Sequence, residues 1–182
     1  MMYKTHLATS ITAGMVFAKL LSYPFTIGYL GGVAIGSLLP DIDHPNSFIG
    51  RRSFGISNVI YNTFGHRGIT HSLILWFVLL MLLSLHNNYF TIGIALGYLF
   101  HILGDFFSRS GVPLLHPYTK NRFRFFITYR TSSYAELLIF YLSIALGLLF
   151  VINNEEFITP LVHSLVNLLN YLVHTIIKFI EK

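Results

Sequence analysis

All three aspartates of this 182-residue chain lie within four residues of a histidine. Asp41 and Asp43 come just before His44, and Asp105 follows His101 by four positions. Both groups end long apolar runs, where an unpaired charge is costly. Carboxylate and imidazole are common ligands of divalent cations, so these residue types predict a bound metal ion.

The spacing within each group suits shared binding of a cation. On a helix, His101 and Asp105 would face the same side, so both can reach one metal, or Asp105 can orient His101. The alternative is a His–Asp hydrogen bond that only joins two helices. Asp41 and Asp43 stand between prolines, and in an extended stretch their carboxylates point the same way and can bridge two cations. For this pair the alternative is the turn chemistry of Asp and Pro.

A third cluster opens the next apolar run. His66 and His71 flank Arg67, and we expect both histidines to be metal ligands. Arg67 would bind an anionic oxygen of a substrate. Thr70 is the expected N-cap of the helix that follows. For either histidine alone, the alternative is a solvated loop residue.

Weaker candidates lie outside these clusters. His6, Glu136 and His116 are possible additional ligands, and His6 is equally well explained as a capping or interfacial residue. Arg122 and Arg124 are either topology determinants or clamps for a lipid headgroup. A polar stripe on the last apolar segment is more simply explained by packing inside a bundle or along the membrane interface. That stripe consists of His163, Asn167, Asn170 and His174.

The composition is that of a membrane protein. The chain is 54% hydrophobic and only 10% charged, with a net charge of +5 and no cysteine, whereas soluble domains carry about 25% charged residues. Disulfides and cysteine-based zinc sites are therefore excluded. We predict a single all-α membrane-embedded domain over residues 1–182, an integral membrane helical bundle of about six transmembrane or membrane-embedded helices. The apolar segments run over 6–22, 26–39, 70–86, 89–108, 134–152 and 157–180.

The distribution of charge predicts the topology. If all six segments cross, the two long loops, 40–69 and 109–133, share one side with both termini. That side holds eleven of the twelve Lys and Arg residues, and only Lys19 lies opposite. Basic residues accumulate on the cytoplasmic side, so both termini and the three His/Asp clusters are expected there. The second segment is short and rich in glycine, which favours close packing on a neighbour or an incomplete crossing.

The motifs, taken in order, resemble the YdjM-type family of inner-membrane metal-dependent hydrolases, which is linked in bacteria to the LexA regulon. The motifs are LLPDIDHP at 38–45, FGHRGITHS at 64–72, GYLFHILGD at 97–105, GVPLL at 111–115 and RFR at 122–124. They cover about residues 1–140 and leave the C-terminal helix, 157–182, outside. The family often has Thr-x-x-Gly-Val after the aspartate, whereas here Ser108-Arg109-Ser110 precede Gly111.

The resemblance implies a bacterial inner-membrane location and hydrolase activity. It also implies a distant similarity to zinc-dependent phospholipase C proteins, which use His/Asp metal sites on phosphoesters. We therefore expect one or two divalent ions, with Zn²⁺ favoured over Mn²⁺ or Mg²⁺. The expected ligands are Asp41, Asp43, His44, His66, His71, His101 and Asp105.

The leading hypothesis is a hydrolase that acts on a lipid or lipid-linked phosphoester at the cytoplasmic interface, with no nucleic-acid partner. Asp43 or Asp105 would serve as general base. Arg67, Arg122 and Arg124 would bind phosphate oxygens. One alternative is an intramembrane zinc amidase or ester hydrolase of the ceramidase-like kind. Another is a non-enzymatic metal transporter or scaffold, although the charges gather at one face instead of forming a path across the membrane.

Overall fold

The fold, seen in a computed structural model, is all-helical as predicted. The structure describes residues 1–86, 88–155 and 158–180, and within these ranges it contains seven α-helices and no strand. They are α1 (Tyr3–Leu20), α2 (Ile27–Gly36), α3 (Ile56–Phe64), α4 (Leu73–Ser84), α5 (Tyr89–Phe106), α6 (Tyr134–Ile152) and α7 (Ile158–Ile180). Phe157, where the last apolar segment was expected to begin, and Lys182, one of the eleven basic residues, lie outside the described residues.

Three of the described helices are long and apolar enough to cross a membrane: α5, α6 and the part of α7 from Ile158 to Lys178. Helix α4 is apolar but has only 12 residues. Helix α2 has 10 residues, which gives it a length of about 15 Å, half of a hydrocarbon core of about 30 Å. Helix α2 is therefore too short to cross the hydrocarbon core, which agrees with the predicted alternative of an incomplete crossing for the second segment.

Polar caps set the start of several helices. Ser72 accepts a hydrogen bond from the backbone of Leu75 at the start of α4, and Ser133 accepts one from Glu136 at the start of α6. Asn88 and Thr91 form a reciprocal capping box on α5. The expectation that Thr70 caps α4 is wrong. Thr70 lies one turn earlier, in a 3₁₀ helix over Ile69–His71, and its hydroxyl is used in the site.

Helices α2 and α5 run parallel and touch through their backbones. The contacts advance in steps of four residues, from Tyr29 beside Gly93 to Val33 beside Gly97. A Cβ atom placed on Gly97 would collide with the carbonyl oxygen of Val33, and one on Gly36 with that of Ile94. We call this contact the glycine seam. It confirms the prediction that the glycine-rich second segment packs closely on a neighbouring helix.

The glycine seam makes a direct prediction about stability. Gly36→Ala should lower the free energy of unfolding by about 1–3 kcal/mol, because the added methyl group has only backbone to displace. Gly31→Ala, on the same helix, is the matched control. Nothing lies within 4 Å of a Cβ at Gly31, so that change should be neutral or stabilising by up to about 1 kcal/mol through helix propensity. Thermal unfolding in detergent compares the two, and equal midpoints would contradict the seam.

The two long loops are folded segments. The first contains 3₁₀ helices at Leu39–Asp43 and Gly50–Arg52, followed by α3, which was not predicted. The second is irregular and closes on itself where Val112 and Phe123 exchange backbone hydrogen bonds of 2.9 and 2.8 Å. It also pairs with the end of α5, since the Tyr129 amide donates to the carbonyl of Phe107.

Helix α1 completes the bundle by packing on α6, α5 and α2. The Thr12 hydroxyl donates to the carbonyl of Ser143 on α6 at 2.8 Å. The Tyr29 hydroxyl of α2 donates to the carbonyl of Gly14 at 3.0 Å. These contacts bring the N-terminal turns of α1 against the C-terminal end of α5.

Candidate metal centre

Histidines and aspartates from four elements meet at one end of the bundle. The 3₁₀ helix after α2 supplies two aspartates, the 3₁₀ helix before α4 supplies one histidine, and α1 and α5 supply the others. All are fully buried except Asp41, whose side chain is 16% exposed. The group consists of His6, Asp41, Asp43, His71, His101 and Asp105.

Three of these residues direct ligand atoms at a common point. The Nε2 atoms of His71 and His101 lie 3.2 Å apart. The Oδ1 atom of Asp41 lies 3.7 Å from each of them. The sequence predicted that these side chains would meet, although 30 positions separate the two histidines.

Asp105 adds a fourth ligand atom to this set. Its Oδ2 atom lies 3.5 Å from His71 Nε2 and 3.8 Å from His101 Nε2. It is buried and has no hydrogen-bond partner among the described residues. In a tetrahedral zinc site with bonds of 2.0–2.2 Å, ligand atoms are about 3.3–3.6 Å apart. The separations of 3.2–3.8 Å between the two histidines, and from them to each carboxylate, are therefore close to those of zinc ligands.

In His71 and His101, a hydrogen bond at Nδ1 leaves the lone pair of Nε2 available for a cation. His101 Nδ1 donates to the carbonyl oxygen of Ser37 at 2.6 Å, so Nε2 of His101 carries a lone pair. His71 Nδ1 lies 3.1 Å from Oδ2 of Asp43. Carboxylates and carbonyls commonly orient metal-bound histidines in this way. The sequence indicated Asp43 as a residue of the site. It did not indicate Ser37, because this contact uses a backbone carbonyl, which every residue has.

His6 belongs to the centre more closely than its sequence position suggested. Its ring stacks on that of His101, with centroids 3.6 Å apart and planes 6° from parallel. Its Nε2 atom lies 3.5 Å from Oδ1 of Asp105. Neither ring nitrogen of His6 has a hydrogen-bond partner in the described part of the chain. His6, His101 and Asp105 thus form a second group that can hold a metal ion, and His101 is common to both groups.

The structure favours an orienting position for Asp43 over the predicted ligation. Its Oδ2 atom accepts from the backbone of Arg67 at 2.8 Å and from the Thr70 hydroxyl. Its Oδ1 atom lies 3.0 Å from Nδ1 of His66. With His71 also bound, Oδ2 has three partners, whereas Oδ1 has the single partner His66.

Charges and hydrogen bonds set the protonation of the centre without an ion. Burial alone would raise the pKa of Asp43, but hydrogen bonds from His66 and His71 hold it well below its usual range. Burial would also raise the pKa of Asp41, but the neighbouring His101 and His71 lower it. Burial would lower the pKa of His71, yet hydrogen bonds with Asp41 and Asp43 raise it to about 9. A bound cation would take the place of that proton.

Arg67 is locked inside the protein. Its Nη2 atom donates to Oδ1 of Asp105 at 2.7 Å and Nη1 donates to the Ser108 hydroxyl at 3.0 Å. The residue is 6% exposed, with a backbone φ of 55°. Both terminal nitrogens therefore contact Asp105 and its helix end, and because Arg67 also lines the cleft beside the centre, its predicted contact with a substrate stays a prediction. Ser108 completes this arrangement by donating to the carbonyl of Asp105 at 2.8 Å.

Two other predicted ligands, His44 and His66, lie outside the centre, on the side where a cleft reaches Asp41. His44 Nδ1 accepts from the backbone of Asn46 at 3.2 Å, and the His44 ring meets His66 edge-on at 4.6 Å. Both histidines line a cleft of about 360 Å³ that reaches Asp41. Three arginines also line it, Arg51, Arg67 and Arg122.

The remaining predicted residues have other partners. The two carboxylate oxygens of Glu136 accept from the backbone amides of Met2 and Ser132, so this side chain fastens the start of α1. His116 packs edge-on against Phe64 at 6.4 Å. Two arginines contact backbone carbonyls, Arg122 that of His66 at 3.4 Å and Arg124 that of Arg109 at 3.2 Å. The polar stripe of α7 is exposed at His163, Asn167, Asn170 and His174.

Comparison with known proteins points to a single family. A family model described as YdjM inner membrane protein matches residues 1–180, so the similarity extends past residue 140 into the C-terminal helix. The inner membrane protein YdjM of Escherichia coli K12 is 51% identical over 87 residues, and the protein of the same name from Shigella flexneri gives the same values. An uncharacterized Bacillus subtilis protein, YvsG, is 31% identical over 138 residues.

The matched regions differ in extent. Each YdjM match covers 44% of this chain and 44% of the relative, so the chain spans less than half the length of these two relatives. The YvsG match covers 75% of this chain and 85% of that protein. No solved structure matches the chain.

Proposed function

The chain belongs to the YdjM inner membrane protein family, and we propose that it is a metal-dependent hydrolase of the bacterial inner membrane. One observation carries the proposal. Two groups of candidate ligands share His101, one with Asp41 and His71 and the other with His6 and Asp105, and the buried Oδ2 atom of Asp105 has no hydrogen-bond partner among the described residues. Burying such atoms without a partner is costly, and a cation removes that cost.

His71, His101, Asp41 and Asp105 would hold the ion, with His6 as a fifth donor. Two imidazoles and two carboxylates suit Zn²⁺ best among common divalent ions, with Mn²⁺ and then Mg²⁺ as alternatives. When bound, such an ion supplies Lewis acidity and lowers the pKa of a water molecule to about 7.

The protein's own groups have separate tasks in this proposal. Arg67 balances the charge of Asp105 from inside the bundle, and Asp43 fixes the ring of His71. Asp41 is the proposed ligand that lines the cleft, so a substrate in the cleft would reach the ion from that side. Arg51 and Arg122 line the same cleft and would bind the oxygens of a phosphoester.

The proposed substrate is a lipid or lipid-linked phosphoester. Helix α5, whose last turn carries Asp105, is apolar enough to cross the membrane, so the centre would lie where a headgroup can enter while the lipid tail stays in the bilayer. The proposal includes a cytoplasmic position for the centre and both termini. The charge pattern supports it, since eleven of the twelve Lys and Arg residues lie on that side of the predicted topology.

Hydrolysis assays test this function. The purified protein should lose its activity on a fluorescent phospholipid and on bis(p-nitrophenyl) phosphate after treatment with a chelator. Zn²⁺, Mn²⁺ or Mg²⁺ added separately should restore it, which also ranks the ions. Activity that survives complete chelation, or no phosphoester cleavage with any of the three ions, would contradict the proposal. Cleavage of an amide-linked lipid instead would favour a ceramidase-like amidase.

A further inference from the structure

A second, apolar cavity lies beside the candidate metal centre. It is a groove of about 720 Å³ between α1, α5 and α6, closed at one end by residues 127–129. Small residues of α1 form its floor, and larger ones of α5 and α6 form its walls. Its lining includes Ala13, Phe100, Leu103, Phe107, Leu138 and Ile139.

The apolar groove and the polar cleft adjoin each other. Met1 lines both cavities. Gly104 lines the groove and is followed by Asp105. A Cβ atom on Gly104 would lie 3.5 Å from Nδ1 of His6, so only one residue's thickness separates the groove from the centre. The two cavities together offer an apolar part and a cationic part at the same end of the bundle.

The walls of the groove have the length and composition expected of a surface that faces the bilayer. Two of the helices that form its walls, α5 and α6, can cross a membrane by length and composition. Leu103 and Leu138 on these walls are 44% and 60% exposed. From Phe100 to Phe107 the groove follows about 10 Å of α5, less than half of the hydrocarbon core of about 30 Å. A chain bound there would therefore continue into the membrane.

We propose that the groove binds one acyl chain of an anionic glycerophospholipid whose phosphate lies in the cleft. The apolar walls select a hydrocarbon chain, and Arg51 and Arg122 in the cleft select a negative headgroup. Diacyl phospholipids are the hydrocarbon chains that a bilayer presents to such an opening. The inference deepens the proposed function by naming the substrate class, but binding of the lipid does not require hydrolysis.

Fluorescence quenching by a brominated lipid tests the inference. Trp76 is the single tryptophan, so Trp76→Phe provides a background in which Leu138→Trp reports from the groove. Leu148→Trp is the matched control, because Leu138 and Leu148 lie on the same helix and are each 60% exposed, and Leu148 does not line the groove. Each protein is placed in phosphatidylcholine nanodiscs with a small fraction of dibrominated phosphatidylglycerol.

The groove reporter should be quenched about threefold more than the control, a preference equivalent to about 0.7 kcal/mol. Unlabelled phosphatidylglycerol should reverse the excess, and extra phosphatidylcholine should not. Ala13→Phe, which fills the floor of the groove, should remove the excess while the thermal midpoint is kept. Equal quenching at both positions would overturn the inference, because both would then contact ordinary boundary lipid. Competition by a polyprenyl phosphate but not by phosphatidylglycerol would also overturn it.

The outcome can be separated from that of the proposed function. Quenching is measured on protein treated with chelator and on untreated protein. Lipid-selective quenching without any phosphoester hydrolysis would leave the groove intact and remove the proposed hydrolase. Metal-dependent hydrolysis without selective quenching would support the proposed hydrolase and overturn the proposed lipid binding in the groove.

Discussion

A His101→Ala variant should bind a divalent metal at least about a hundredfold more weakly than the unchanged protein. Loss of a residue that only orients a ligand costs about 10–100-fold in metal affinity, and loss of a ligand should cost more. His101 belongs to both groups of candidate ligands, so no alternative set among the described residues replaces it. Its Nδ1–H is held by Ser37, which leaves Nε2 aimed at the centre. Removing the ring also leaves His6 without its stacking partner.

The measurement is metal content by mass spectrometry after purification, followed by titration of chelator-treated protein with Zn²⁺. His86→Ala is the matched control, since it makes the same change at an exposed histidine and should bind metal as before. Circular dichroism and gel filtration show whether each variant is folded. A folded His101→Ala protein with full metal content would be evidence against the centre.

Arg67→Met should be the most destabilising single change in the centre. Arg67 is the arginine that meets Asp105, with 2.7 Å between Nη2 and Oδ1. Breaking a buried pair by removing one partner typically costs about 3–5 kcal/mol, and the Met1 ammonium, 2.9 Å from the same oxygen of Asp105, should reduce that cost. Ser108 also loses a donor. We expect a lower thermal midpoint, and we expect the loss to be larger with chelator than with Zn²⁺, since a bound cation also compensates Asp105.

Arg122→Met is the control for this prediction. Arg122 is exposed and contacts the carbonyl of His66 at 3.4 Å, so the change should leave the thermal midpoint nearly unaltered. Differential scanning fluorimetry in detergent, with and without chelator, compares the two variants. If Arg67→Met were no less stable than Arg122→Met in chelator, the Arg67–Asp105 pair would not be a structural element of the centre.

Residue types and spacing were enough to predict that the His/Asp clusters meet. Asp41, His71, His101 and Asp105 were each placed at the end of an apolar segment, and the structure brings them together. The sequence did not predict which carboxylates would bind the cation and which would orient a histidine. Whether a carboxylate binds a cation or orients a histidine depends on its hydrogen bonds, and Asp43 acquires its four donors from segments that fold around it.

Helix positions were predicted better than helix lengths. The apolar pattern located α5 and α6 within two residues of their observed ends. It placed the end of the second segment at residue 39, whereas α2 ends at Gly36 and a 3₁₀ helix begins at Leu39. Proline at position 40 is compatible with that 3₁₀ turn, and hydropathy does not distinguish it from an α-helix. Helix α3 was missed because it is too short to give a clear periodic signal.

The glycine seam has a consequence for how much the chain can vary in length. Ser37 contacts His101 because the seam holds residues of α2 beside the residues of α5 that follow them by 64 positions in the sequence. Val33 and Gly97 are such a pair. Residues added or deleted between the two helices, outside the segments that carry Asp41, Asp43 and His71, would leave this alignment intact. One residue inserted between Gly97 and His101 would instead rotate the imidazole by about 100° around the helix axis. A change of length in the interval from Gly97 to His101 would therefore displace a candidate metal ligand although no ligand itself is replaced.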